Sequence, residues 1–155
     1  MAELQANAQQ LVNPGEVVIF TDNPVRDYSN LIRWREGSGN ILLAGYVPYT
    51  SACRCCSSRS ASYLVDFGAN IAIPTGGTVG EISVAIALDG TSIPASTMIV
   101  TPAAVEQFFN ISRAINADVW RGCCETLSVR NTSDQPILVQ NANIIVSRPD
   151  LLVVR

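Results

Sequence analysis

The decapeptide EISVAIALDG, residues 81–90, shows the alternation that decides the fold. Large apolar side chains recur at every second position from Ile82 to Leu88, which predicts a β-strand with one buried face. The opposite face carries only the small side chains of Ser83, Ala85 and Ala87. The dipeptide Asp-Gly that follows is typical of a two-residue hairpin turn. The segment therefore predicts a strand that turns tightly into an antiparallel neighbour.

Similar strand-like segments, separated by turn residues, lie on both sides of this hairpin. The segment VEQFFNISRAI also fits a helical spacing of apolar residues, and we interpret it as a strand because its neighbours are strands. About nine short strands at this spacing predict an antiparallel two-sheet sandwich or barrel. The segments are VVIF (17–20), LIRWRE (31–36), NILLAGYV (40–47), SYLVDFGANIAI (62–73), STMIVT (96–101), VEQFFNISRAI (105–115), CETLSVRN (124–131) and ILVQNANIIVSR (137–148).

The two ends of the chain differ from this pattern. Residues 1–13 are polar, with Leu4 and Leu11 spaced as in two turns of a helix, and we expect a short arm that becomes ordered on a partner. Residues 14–148 form the predicted domain. Residues 149–155, PDLLVVR, form a short C-terminal tail.

The composition excludes several classes of function. All ten basic residues are arginine, and the chain has neither histidine nor lysine. Ser-His-Asp and Cys-His catalysis therefore lack their base, and Schiff-base chemistry lacks its amine. The carboxylates fall mostly at predicted turns, where solvated charges are usual, so we predict no enzyme and no cofactor. With a net charge of −3 and no basic cluster, the sequence favours neither nucleic-acid nor membrane binding.

The low charge content indicates contacts with other subunits. Only 15% of the residues are charged and 48% are hydrophobic, which is lean in charge for an isolated monomer. We therefore expect the small-residue face of Ser83, Ala85 and Ala87 to contact a second subunit. The alternative is that a loop of the same chain covers it. Neither a signal peptide nor a membrane-spanning run is recognisable, so we expect assembly in the cytoplasm.

The segment from Tyr63 to Arg148 resembles the jelly-roll head domains related to tumour necrosis factor and complement C1q. These domains occur in bacterial collagen-like surface proteins and in phage structural proteins. The resemblance implies an all-β, antiparallel two-sheet jelly roll and a homotrimer whose inner sheets line the threefold axis. It is carried by the ordered series YLVDFGANIAIPTGGTVGEISVAIALDGTSI, STMIVTPAAVEQFFNISR, ADVWRGCCETLSVRNTS and PILVQNANIIVSR.

The resemblance implies a structural role at the exterior of a phage virion, as a trimeric capsid decoration or head-fibre subunit. The arm or the tail would dock on other virion shell proteins, and a host-surface glycan is a further candidate partner. The alternative function is a receptor- or glycan-binding head of a phage tail fibre or a bacterial surface adhesin. Besides the small-residue face, the expected contact residues are Phe108, Phe109, Trp120, Arg113 and Arg121. Of the two adjacent phenylalanines, one is expected in the core and the other at a neighbouring subunit. The arginines are expected to pair with carboxylates such as Glu106, Asp118 or Glu125 of the same or a neighbouring chain.

Five cysteines fall in two groups, Cys53, Cys55 and Cys56 in a serine-rich loop and Cys123 and Cys124 before a strand. Adjacent Cα atoms lie about 3.8 Å apart, below the disulfide range that starts near about 4.4 Å, so neither neighbouring pair bridges itself. Three states stay open: packed reduced thiols, a disulfide between the two groups, and a zinc site with four thiolate ligands. Each of the last two requires a sulfur of the first group to lie near one of the second.

Overall fold

A computed structural model describes residues 1–47 and 59–149. Within these ranges the chain forms short and long β-strands and one 3-10 helix, Pro94–Ser96. The strands are β1 (Ala2–Ala6), β2 (Gln10–Val12), β3 (Asp22–Val25), β4 (Ile32–Trp34), β5 (Ile41–Gly45), β6 (Ser60–Ala72), β7 (Ile82–Leu88), β8 (Thr91–Ser92), β9 (Met98–Val100), β10 (Phe109–Trp120), β11 (Gly122–Asn131) and β12 (Ile137–Ser147).

The strands form two antiparallel sheets. In the first sheet the order is β10-β6-β12-β1-β3, and β2 also pairs with β12. In the second sheet the order is β4-β5-β11-β7-β8, and β9 also pairs with β7. Strands that follow one another in the sequence often lie in different sheets, so the chain crosses repeatedly between the two layers. The predicted all-β, antiparallel two-sheet jelly roll is confirmed.

The core lies between the sheets and is built by alternation along each strand. On β6 the side chains of Tyr63, Val65 and Phe67 are fully buried, and on β7 those of Ile82 and Ile86 are fully buried as well. These belong to one continuous hydrophobic cluster. Burial of each large apolar side chain contributes about 1.5–3 kcal/mol, so the alternation read from the sequence is also the main source of stability.

The predicted hairpin after β7 is present. Asp89 and Gly90 have φ angles of 48° and 79°, which are the left-handed values that a type I′ turn requires at both central positions. The Asp89 carboxylate also accepts a hydrogen bond from the backbone N–H of Thr126 at 2.7 Å. The turn is therefore tied to the neighbouring strand β11.

The expectation that residues 1–13 form an N-terminal arm is wrong. Residues Ala2–Ala6 form β1, which pairs with both β12 and β3. Ala2, Leu4 and Ala6 are buried, so the period is two residues and not that of a helix. The partner strand β12 lies near the other end of the chain, and this distant pairing outweighs the weak local pattern.

Two other expectations about segments need correction. The segment 17–20 lies beside β11, through a bridge between Val17 and Arg130 and a hydrogen bond from Val18 N–H to the Val129 carbonyl, but it forms no regular strand. The ambiguous segment 105–115 is a strand only from Phe109 onward. Most of the C-terminal tail, residues 150–155, lies outside the described residues.

Candidate functional site

The outer face of the first sheet presents a continuous surface across four adjacent strands. We call it the assembly face and define it by the residues that alternate with the core residues of β6, β10, β12 and β1. All of them are exposed or half-buried. They are Ser62, Leu64, Asp66, Gly68 and Asn70; Asn110, Ser112, Ala114, Asn116, Asp118 and Trp120; Asn143, Ile145 and Ser147; and Glu3 and Gln5.

The centre of the assembly face carries short side chains. Ser112 lies opposite Gly68 in the pairing of β10 with β6, and Gly68 lies opposite Asn143 in the pairing of β6 with β12. A Cβ atom at position 68 would find only ordinary contacts, at 3.7 Å or more. Farther along β6, the large apolar side chain of Leu64 is 40% exposed. Short side chains on a pleated sheet leave a flat surface that a second subunit can approach closely.

The charge on the assembly face is negative. It contains the carboxylates of Glu3, Asp66 and Asp118, and none of its positions is arginine. The side-chain amide of Asn143 donates to the Glu3 carboxylate at 2.7 Å, and that of Gln5 donates to the same oxygen at 3.1 Å. These hydrogen bonds are made by neutral amides, so they leave the negative charge of Glu3 uncompensated.

The aromatic residues predicted as contacts lie at the two ends of β10. Trp120 is on the assembly face and is 69% exposed. Phe109 is on the opposite side of the strand, in register with Ile71, and is 37% exposed. Phe108 precedes the strand and is half-buried. Neither phenylalanine belongs to the buried core, so the expectation that one of them fills it is wrong.

The predicted contact arginines lie beside the assembly face and not on it. The guanidinium of Arg113 donates to the carbonyl oxygen of Ala95, from Nη2 at 2.7 Å and from Nε at 3.1 Å. This contact joins the edge strand β10 to the 3-10 helix of the second sheet. Arg121 is exposed directly after β10, and its backbone N–H donates to the Arg59 carbonyl at 2.8 Å. Within the chain, the partner of Arg113 is therefore a carbonyl and not one of the predicted carboxylates.

The small-residue face of β7 is covered by its own chain, as the alternative interpretation held. Ala85 and Ala87 are fully buried. Arg130 lies opposite Ala85, and its Nη1 donates to the Gly90 carbonyl at 2.9 Å, so its side chain passes over Ala87. The Ser83 hydroxyl lies 2.7 Å from that of Thr132. The predicted subunit contact through Ser83, Ala85 and Ala87 is therefore corrected, because the arginine stem and the 132–133 turn occupy this surface.

The cysteine predictions fall mainly on residues that are not described. Cys53, Cys55 and Cys56 lie outside the described ranges, as does the side chain of Cys123. Cys124 is half-buried, and its sulfur lies 3.5 Å from Nη2 of Arg33. The disulfide and the zinc site therefore stay predictions. Among residues 1–47 and 59–149, no group of three or more Cys, Asp or Glu side chains is placed to hold a metal ion.

No helix in the described part of the chain is long and apolar enough to cross a membrane.

Neither a protein-family model nor a curated protein matches the chain. Several solved structures are similar in fold. The globular domain of zebrafish complement 1qA protein aligns over 93% of this chain and 94% of its own, with 11% identity and a TM-score of 0.48. The PRD1 vertex protein P5 aligns over 95% and 94%, with 13% identity and a TM-score of 0.41. A family 35 carbohydrate binding module from Clostridium thermocellum aligns over 89% and 98%, with 12% identity and a TM-score of 0.34.

The predicted likeness to C1q-type heads and to phage structural proteins thus recurs as a likeness of fold. Because the identities lie below 25% and the TM-scores below 0.5, the assemblies and ligands of these proteins do not carry over to this chain. Its function has to be argued from its own surfaces.

Proposed function

We propose that the protein is a structural subunit of a phage virion, a homotrimeric capsid decoration or head-fibre protein on the exterior of the particle. Its task is assembly and not catalysis. The observation that carries the proposal is the assembly face, which is flat at its centre, acidic and free of arginine. The phage setting comes from the sequence resemblance of the segment from Tyr63 to Arg148.

The edge strand β10 supports a contact between copies. It has 12 residues, which is about 40 Å of extended chain, and among the described strands it pairs only with β6. Monomeric proteins usually protect such an edge with charges, bulges or proline. The pairing of β10 with β6 has no irregularity. Strand β10 itself carries only two charged residues, Arg113 and Asp118. A neighbouring subunit against this edge would protect it.

The distribution of charge fits a ring of three copies. A rotational ring larger than a dimer requires two different surfaces of each subunit to meet. The assembly face supplies carboxylates, including Asp66 and Asp118, and the adjoining edge supplies Arg113 and Arg121. We place the arginines of one copy against the carboxylates of the next. Arginine favours such pairing because its planar guanidinium can bind a carboxylate through two parallel hydrogen bonds.

Docking on the shell is assigned to the C-terminal tail, residues 149–155. The N-terminal segment no longer serves this purpose, because β1 is part of the first sheet.

Gradient-purified particles from the source culture test the virion setting. Mass spectrometry is expected to find the chain in them, and antibodies against the chain are expected to label their exterior. A chain recovered only outside the particles would contradict the proposal.

The second candidate is a receptor- or glycan-binding head of a tail fibre or of a bacterial surface adhesin. A groove at the edge of the sandwich that is farthest from β10 favours it.

A further inference from the structure

A groove open to solvent runs between the edge strand β3 of the first sheet and the edge strand β4 of the second. It has two adjoining parts of about 410 Å³ each, which share Asn23, Arg26, Trp34 and Glu36. This size falls within the range of about 300–1,000 Å³ that small-molecule sites usually have. Because β3 and β10 lie at opposite ends of the first sheet, the groove is separate from the edge proposed for assembly.

The aromatic wall of the groove is the indole of Trp34. Its Nε1–H donates to the carbonyl oxygen of Ser38 at 2.8 Å, and the side chain packs in part against the hydrophobic core. The ring is therefore held in place while it still lines both parts of the groove. An aromatic surface that is already fixed binds a ligand with little further loss of side-chain entropy.

Polar groups around this ring are available to a ligand. Within the described residues the side chains of Arg26, Asn30 and Glu36 make no hydrogen bond or ion pair, and all three are exposed. A guanidinium offers several donors, a carboxylate offers only acceptors, and a primary amide offers both. Such a set can bind adjacent hydroxyl groups from both sides.

The floor of the groove is fixed by groups that are already bonded. The Asp27 carboxylate accepts hydrogen bonds from the backbone N–H groups of Leu31 at 3.2 Å and Ile32 at 3.0 Å. The side-chain amide of Asn23 donates to the Val25 carbonyl at 2.7 Å. These contacts order the 26–32 loop, so the exposed groups are presented on a defined backbone.

From this arrangement we propose that the groove binds a neutral saccharide. The indole suits the apolar C–H face of a pyranose ring, and the free polar groups suit its hydroxyls. The charged lining consists of Arg26 and Arg33 against Asp22, Asp27 and Glu36. It has no positive excess, which disfavours phosphates and nucleic acids. The inference is independent of trimer formation, because the groove belongs to a single chain.

The fluorescence of Trp34 tests the proposal directly. The chain has two tryptophans, so Trp120→Phe leaves Trp34 as the sole tryptophan. This full-length variant is titrated with neutral hexoses, N-acetylhexosamines and their disaccharides, after a glycan array has ranked them with the native protein. We expect a saturable change in emission with the sugars that the array selects.

Two variants keep the test independent of folding. Arg26→Ala and Glu36→Gln change exposed side chains that have no partner within the described chain, so the fold is expected to stay intact. Each should weaken binding by about tenfold or more, because hydrogen bonds to charged groups are among the stronger ones. Arg35→Ala is the matched control, since Arg35 is exposed directly before Glu36 but does not line the groove. It should leave the affinity unchanged.

Three results would overturn the proposal. The first is the absence of any neutral sugar that binds on the array or changes the emission. The second is binding restricted to sialylated or phosphorylated glycans. The third is saccharide binding that Arg26→Ala and Glu36→Gln leave unchanged, which would place the site elsewhere. None of these results bears on the oligomeric state, so failure here and failure of the assembly proposal are distinguishable.

Discussion

The hydroxyl of Tyr63 on β6 donates a hydrogen bond to the carbonyl oxygen of Ala44 on β5, 2.6 Å away, and so joins the two sheets through the core. Tyr63 is fully buried, and the Arg148 guanidinium lies 5.5 Å from the centre of its ring. The pairing of β5 with β11 is irregular between Gly122 and Glu125, at the level of Ala44. The tyrosine therefore supplies a hydrogen-bond partner where the sheet is interrupted.

Replacing Tyr63 by phenylalanine should destabilise the fold. The variant keeps the ring under Arg148 but leaves the part-buried carbonyl of Ala44 without this donor, which costs about 1–3 kcal/mol. Urea unfolding is expected to show a lower midpoint with an unchanged slope. Tyr28→Phe is the control, because Tyr28 is 88% exposed. Equal midpoints for the two variants would show that the bond between the sheets contributes nothing.

Gly45→Ala should be strongly destabilising. A Cβ atom at position 45 would collide with the carbonyl oxygen of Trp120, which belongs to the backbone and cannot move aside cheaply. We expect a loss of at least about 2 kcal/mol, and a Tm lower by about 4–8 °C for a chain of this length. Gly80→Ala is the matched control, because its Cβ would meet nothing within 4 Å and Gly80 lies outside the assembly face. A Gly45→Ala variant as stable as Gly80→Ala would contradict the close packing of β5 against the end of β10.

The stability that Asp27 provides should depend on pH. Burial raises the pKa of Asp27, but hydrogen bonds from the Ser29 side chain and from the backbone of Ile32 and Ser29 outweigh it, so the pKa is lowered below its ordinary 3.8. A lowered pKa in the folded state means that the contribution is complete above about pH 3.8 and is lost as the pH falls further. Asp27→Asn should therefore be less stable than the native chain at pH 7, by about 1–2 kcal/mol. The difference should shrink in unfolding curves measured below pH 3.8, and a difference that stays constant down to pH 2 would count against this role.

The two cysteine groups are predicted to lie close together. After mild oxidation with diamide, a tryptic digest should contain peptide 55–59 or the peptide ending at Arg54 linked to peptide 122–130. The double variant Cys123→Ser with Cys124→Ser should lack every such link. If the digest of the oxidised native protein contains no linked peptides, the two groups lie apart. Both the disulfide between the groups and the zinc site would then be ruled out.

Much of the fold was predictable because the β-strand period of two is visible in single segments. Alternation from Ile82 to Ile86 predicted one wall of the core, and Asp89-Gly90 predicted the hairpin. The role of Ala2, Leu4 and Ala6 was missed. They show the same period, but their small size and polar neighbours give a weak signal, and only the distant strand β12 makes them part of a sheet.

Surface features were harder to predict, because they depend on which segments the topology brings together. Nothing local indicates that Arg130 extends over Ala87 to reach Gly90. Likewise, Arg26 and Trp34 line one groove only because β3 and β4 are edge strands of different sheets. The assembly face did leave a signal in the sequence. Asp66, Gly68 and Asn70 alternate with the core residues of β6, and this marks a strand face that is neither buried nor strongly charged.

The assembly face is the feature that a single substitution probes best. Ser112 is exposed at the centre of the face, opposite Gly68. In a monomer, the side chain of Ser112→Arg can extend into solvent. In a trimer, it would place a large charged group in the contact between subunits. Thr91→Arg is the control, because Thr91 is an exposed position of β8 on the second sheet. Both variants are expected to keep the circular dichroism spectrum of the native chain, and Thr91→Arg is expected to keep its Tm as well. Ser112→Arg should melt at a lower temperature, because it loses the stabilisation that assembly provides.

Sedimentation velocity of the native protein and these two variants at micromolar concentration tests the central claim. The native chain and Thr91→Arg should sediment as a species of three times the 16.6-kDa chain mass, and Ser112→Arg should sediment as a monomer. A native protein that is a stable monomer, or a Ser112→Arg variant that remains trimeric, would contradict assembly through this face.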